Sequence, residues 1–244
     1  PARMLINDWV TERTHARIND LLPPGSVGTN TKLVLTNALY FKAHWLTSFS
    51  GSTAQVFHAE SGDRTAAMMQ MKQIMLGYGE SNGFQMVELS YQNDNLAMLL
   101  VLPPPGPLRQ LTQGFDERAF ETLYEKLGHH MLDLSVPTWR FESSNELRQP
   151  LRTLGMPSLF EESRADLSGI GGRRDLAVDD VYHKAFISVD EEGTEAAAAS
   201  SVVVRSKSFS PPAEIHFDRP FLFVIYDKPT EQSLFIGHVE DPTP

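Results

Sequence analysis

The sequence predicts an α+β fold of mixed, mostly antiparallel sheets with surrounding helices. Short apolar runs bounded by turn residues recur along the chain, the mark of hairpin-linked strands. Only three stretches repeat at helical spacing. The composition is that of an ordinary globular chain, with 244 residues of which 41% are hydrophobic and 21% charged, so a sizeable core can be buried.

Leu5, Ile6, Trp9, Val10, Ile18, Leu21 and Leu22 fall roughly at helical spacing, so residues 4–22 read as a helix stopped by Pro23-Pro24-Gly25. Residues 31–40, TKLVLTNALY, are apolar at nearly every central position and read as a strand buried on both faces. Residues 53–76 add strand and loop material. Phe84–Leu89 and Asn95–Leu102 form two runs joined by the turn-forming Gln92-Asn93-Asp94, and the prolines 103–105 with Gly106 stop the second. Asp116–Leu127 reads as a helix with Asp116 as N-cap and Gly128 closing it. Met131–Phe141 is strand-like, and Ser144–Leu154 is a short helix ended by Gly155. A long strand runs from Asp175 to Asp190. Ile215–Phe217, Pro220–Tyr226 and Ser233–Val239 close the chain as three more. With no internal repeat, these elements read as one domain.

Composition removes several functions. The chain carries 31 acidic and 21 basic side chains, net −10, which argues against a binder of the nucleic-acid backbone. It has no Cys, hence no disulfide, thiol nucleophile or Cys-ligated zinc. Its longest uncharged apolar runs fall far short of the ~20 residues that span a bilayer. Neither nucleic acid nor membrane is expected as a partner, and no cofactor is implied.

The informative segment is residues 191–214, EEGTEAAAASSVVVRSKSFSPPAE, too long for an ordinary loop in a compact domain. At strand period one face collects Thr194, Ala196, Ala198, Ser200, Val202, Val204 and Ser206, without a charge. The other face takes Glu195, Ala197, Ala199, Ser201, Val203, Arg205 and Lys207. A segment able to become a strand with one buried side needs this sorting. The competing reading is a short helix over the four alanines, or a plain loop.

The run VDEEGTEAAAAS (Val189–Ser200) resembles the hinge of the serpin family. The likeness extends in order along the chain. INDWV (Ile6–Val10) resembles the family's helix F, and LTNALYFKAHW (Leu35–Trp45) its strand 3 of sheet A. ADLSGI (Ala165–Ile170) and VYHKAFISVDEEGTEA (Val181–Ala196) resemble the path into strand 5, and FDRPFLFVIYD (Phe217–Asp227) and LFIGHVEDPTP (Leu234–Pro244) the last strands of sheet B. The resemblance implies a serpin domain over 1–244 lacking helices A–E and the first two strands of sheet A, with 191–214 as the reactive-centre loop. It implies an inhibitor of serine proteases rather than an enzyme: a monomeric suicide substrate that is cleaved, inserts its loop into sheet A and traps a trypsin-like or other serine protease covalently. The implied hinge is Glu191, Glu192, Gly193, Thr194, Glu195, Ala196, Ala197, Ala198 and Ala199, and counting from it places the reactive bond at Lys207-Ser208. Counting back from Phe217 favours Arg205-Ser206 instead. Asn37 and His183 are implied as a hydrogen-bonded shutter and Trp45 as the breach. The family reading favours an extracellular, secreted protein, with a cytoplasmic one as alternative; the lack of an N-x-Ser/Thr sequon fits a bacterial or intracellular origin. The second function is a non-inhibitory serpin acting as a binding or carrier protein.

Four other features have plainer readings. Gly79-Glu80-Ser81-Asn82-Gly83 fits the hydrolase pattern G-x-S-x-G, but FQMVEL follows at strand period, so a hairpin turn is expected instead of a nucleophile elbow. His129-His130 are adjacent and should point apart, as solvated ends rather than metal ligands. Asp179-Asp180 read as a solvated face. Thr138 stands after Pro137, where the resemblance implies a basic partner for Glu191, a departure that tells against a hinge salt bridge.

Overall fold

A computed structural model describes residues 2–92, 95–113, 115–194 and 211–243. In chain order these form α1 (Ala2–Arg13), β1 (Val34–Tyr40), β2 (Ala43–His44), β3 (Ser52–Ala59), β4 (Gly62–Ser81), β5 (Phe84–Ser90), β6 (Leu96–Leu102), α2 (Leu108–Thr112), α3 (Glu117–Tyr124), β7 (Gly128–Pro137) and β8 (Trp139–Glu146). There follow α4 (Arg148–Thr153), a 3-10 turn (Pro157–Phe160), α5 (Ser168–Gly171), β9 (Asp180–Val189), β10 (Gly193–Thr194), β11 (Ala213–His216), β12 (Phe221–Asp227) and β13 (Gln232–Val239). They group into two compact units, Pro1–Phe41 with Phe141–Ile187 and Lys42–Arg140 with Ser188–Pro244.

In the first unit β1 and β9 pair in parallel, from Val34 opposite Asp180 to Tyr40 opposite Phe186, and β8 pairs with β9. The parallel register puts paired side chains on one face. One face carries Val34, Ala38 and Tyr40 with Tyr182 and Phe186, packed against Val10, Ile18, Leu21 and Leu22. The other leaves Leu35 and Leu39 exposed, so β1 is not buried on both faces as its apolar run suggests. Apolar sequence is a condition for double burial, but a second packed layer must also be present.

The helix at the start is also shorter than expected, ending at Arg13 rather than continuing to residue 22. His15 and Ala16 turn left-handed at φ 51° and 58°, and the Thr14 hydroxyl accepts the Ile18 N–H at 3.1 Å while donating to the Val10 carbonyl. Asn7 then clasps Leu22 through both its amide and its carbonyl. Ile18, Leu21 and Leu22 are therefore buried from a folded-back segment, where side-chain hydrogen bonds outcompete the helix ladder. The helix expected from Ser144 begins only at Arg148, because Ser143 and Ser144 belong to β8. Asp179 and Asp180 are half-buried anchors rather than a solvated face. Asp179 accepts the N–H groups of Lys32 (2.7 Å) and Leu33 (3.1 Å), and Asp180 that of Val181 (2.7 Å).

In the second unit eight strands run in the order β11-β7-β4-β5-β6-β12-β13, with β3 on β4. All these pairs are antiparallel except β11 with β7. β6 and β12 fill the centre, Ala97–Leu102 being buried throughout. Against one face lies α3, whose Leu123 meets Met86, Leu99 and Val101. Asp116 caps α3 as expected, accepting the Ala119 N–H at 3.0 Å. The helix stops at Tyr124, and Gly128 opens β7 instead of closing the helix.

Candidate functional site

The end of β9 turns back on itself. The N–H and carbonyl of Asp190 bond to Gly193 at 2.9 and 3.3 Å, enclosing only Glu191 and Glu192. The Asp190 carboxylate accepts the N–H groups of Glu192 and Gly193, an Asx turn that fixes this hairpin. β10 is thereby laid antiparallel to Val189 on one side and to Ala43 and His44 on the other. The fit is tight. A Cβ on Gly193 would overlap the Ala43 carbonyl oxygen and lie 2.7 Å from His44 Cα, so only glycine can occupy this point.

Trp45 grips the turn from beneath. Its backbone N–H donates to the Glu192 carbonyl (2.9 Å) and its indole Nε1–H to the Asp190 carbonyl (3.0 Å), while Phe49 N–H donates to the Glu191 carbonyl (2.8 Å). The indole, 1% exposed, stacks on Tyr91 at 4.6 Å and 13°. Tyr91 in turn shares a 2.9 Å hydrogen bond with the hydroxyl of Thr194, which is fully buried. Burial pushes the Tyr91 phenol up, and the bond to Thr194 opposes this, so the phenol stays neutral at physiological pH. A polar side chain buried this completely persists only with a partner.

Of the residues expected from the sequence, Glu191, Glu192, Gly193, Thr194 and Trp45 thus meet in one place. Glu195, Ala196, Ala197, Ala198 and Ala199, and both proposed bonds, Lys207-Ser208 and Arg205-Ser206, lie outside the described residues. Asn37 and His183 are register partners across β1 and β9, Asn37 exposed and His183 half-buried. Their facing side chains make no hydrogen bond to each other among the described residues.

Tyr91, Phe49 and Asp190 complete the grip and were not singled out by sequence. Asp before Glu-Glu-Gly is a turn signal that could have found Asp190; nothing local marks Tyr91, whose role depends on a residue 103 positions away. Ser81 sits where β4 turns into β5, with Asn82 and Gly83 at φ 53° and 80°, a hairpin turn whose hydroxyl accepts from Lys126 at 3.1 Å. His130 lies edge-on to Tyr78, and His129 is its neighbour along β7. Thr138 uses its N–H on the Ala67 carbonyl.

The family model described as serpin (serine protease inhibitor) matches residues 1–242. An uncharacterized serpin-like protein of Methanosarcina acetivorans is 35% identical over 97% of this chain and 56% of its own length. The human leukocyte elastase inhibitor is 37% identical over 99% of this chain and 66% of its own. The crystal structure of Serpin48, described as a highly specific serpin in the insect Tenebrio molitor, superposes with a TM-score of 0.86 at 30% identity, over 99% of this chain and 65% of that one. The chain belongs to the serpin family. It spans a little over half to two-thirds of the length of these relatives.

Proposed function

We propose that this protein inhibits serine proteases as a suicide substrate, both compact units being parts of one serpin domain and residues 191–214 its reactive-centre loop. The observation that carries this reading is the phase set by Thr194. Its side chain points inward and is fully buried, so a strand continuing from β10 turns every even-numbered residue inward. Those residues are Ala196, Ala198, Ser200, Val202, Val204 and Ser206, whereas Glu195, Arg205 and Lys207 fall on the outer face. A slip of one residue would bury all three charges.

In the proposed mechanism the serine hydroxyl of the protease attacks the carbonyl of Lys207, the amine of Ser208 leaves with the proton, and an ester joins protease to Lys207. The 14 residues from Thr194 to Lys207 then extend as a strand, carrying the tethered enzyme roughly 45 Å at ~3.3 Å per residue. Lys207, or Arg205 in the alternative frame, suits a specificity pocket holding a carboxylate, hence a trypsin-like target. The protein is read as a monomer and as extracellular, the cytoplasm being the alternative.

Mixing the full-length protein with trypsin and running a denaturing gel tests the reading. A covalent band, with a released peptide beginning at Ser208 or Ser206, is the expected result. Clean cleavage with fully active trypsin recovered would overturn it in favour of a binding or carrier serpin.

A further inference from the structure

Between α5 and β9 the chain crosses the surface of the first unit with little to hold it. Residues 169–175 are exposed without a break. Gly172 turns left-handed at φ 72°, and its N–H makes the last backbone bond of α5, to the Ser168 carbonyl at 2.7 Å. The next amide to be bonded is that of Val178, which reaches the Leu159 carbonyl at 3.0 Å. Those of residues 173–177 donate no hydrogen bond among the described residues.

Arg173 and Arg174 occupy the middle of this strip, the one place in the sequence where two basic residues adjoin. Their side chains are 81% and 76% exposed, yet they are not held alike. Arg174 pairs at 2.6 Å with Asp166, whose carboxylate is itself fixed by the Ser168 hydroxyl at 2.7 Å. Arg173 meets Asp175, a neighbour in the same strip, at 3.1 Å. An exposed ion pair of this kind adds little to stability, so the Arg173 guanidinium is easily drawn into a stronger site.

A protease holds the residues around its scissile bond in extended form, with the side chain before the bond in a specificity pocket. Arg118 and Arg152, in helices, and Arg64, in a strand, must first break ladder bonds to comply. Here Gly171 and Gly172 precede the arginine, and glycine passes from left-handed to extended backbone without steric cost. The residues that follow have no amide bonds to lose.

We propose that Gly171–Asp175 is a protease-substrate site in its own right, cut between Arg173 and Arg174 by arginine-selective proteases. Water adds its hydroxyl to the Arg173 carbonyl carbon and its remaining proton to the departing Arg174 nitrogen. The proposal does not rest on the inhibitor reading, because this bond lies outside 191–214. The products, 1–173 and 174–244, stay interleaved: β9 remains laddered to β1 in the first unit, and β12 to β6 and β11 to β7 in the second. The result is a two-chain protein in which residues 191–214 belong to the shorter chain.

The test digests the full chain briefly with clostripain, an arginine-specific cysteine protease, so that trapping of a serine enzyme plays no part, and reads fragment masses. Cuts after Arg205 are told apart by mass. A fragment ending at Arg173 should appear early, at a rate unchanged by urea well below the unfolding midpoint, because only local opening is needed. Arg173→Gln should slow cleavage within 171–175 roughly tenfold or more, whereas Asp166→Asn, which releases Arg174, should speed the cut after Arg174 several-fold. First cuts elsewhere in residues 2–194 with 171–175 intact, or a rate that climbs with urea in step with global unfolding, would overturn the proposal, and both are read on the unmutated chain.

Discussion

The Asp190–Thr194 turn and the Asn37–His183 pair are both places where strands meet, yet they are built in opposite ways. At the turn three backbone carbonyls in a row are taken by Trp45 and Phe49, the one side-chain hydroxyl is matched by Tyr91, and a glycine abuts backbone. At the pair, a backbone ladder passes between two side chains that do not bond each other, one of them exposed. The contrast teaches where specificity resides. Positions surrounded by fixed partners tolerate little change, whereas a position on an open face is held mainly by its backbone.

The contrast can be broken at several points. The largest effect is expected for Gly193→Val. The new side chain has no room against Ala43 and His44, so β10 should be expelled at a cost of ~3 kcal/mol, read as a lower denaturant midpoint and fast exchange of the Thr194 amide. Trp45→Phe should follow at ~2–3 kcal/mol, losing the indole bond to Asp190 and leaving space beside Tyr91. Tyr91→Phe, which strands the buried Thr194 hydroxyl, should cost ~1–2 kcal/mol, and a double mutant with Thr194→Val should recover part of it. Asn37→Ala should change stability by less than ~0.5 kcal/mol; a larger loss than that of Tyr91→Phe would reverse the comparison.

The smallest effect is a pH dependence. The Thr243 hydroxyl and N–H, with Arg64, hold the Asp241 carboxyl below the ordinary carboxylate range. A carboxyl depressed in the folded state stabilises fully above its unfolded pKa, and that contribution is lost as pH falls through the folded value. Asp241→Asn should therefore flatten the acid side of the stability profile slightly and leave the alkaline side unchanged.

Much of this was legible in the residues. Strand runs such as Leu96–Leu102 and the last three strands needed only local pattern, and Gly193 with Thr194 stood out because small residues follow a turn-rich hinge. What escaped was whatever depends on distant partners. Nothing near Leu35 says that its face stays open, and nothing near Thr14 says that its hydroxyl will end a helix whose apolar spacing continues. Asp179 looked solvated because its partners, the amides of Lys32 and Leu33, come from far earlier in the chain.

The brevity of the Glu191–Glu192 turn has a thermodynamic corollary. Starting a new strand ordinarily requires closing a loop and ordering several residues before any ladder forms, and that nucleation step dominates the barrier. Here the first rung, Thr194 against Val189 and Ala43, is already in register, so in the proposed insertion growth from Thr194 would be propagation alone. On the proposed mechanism this is a zipper with its slider engaged, which would need only to be released at the far end.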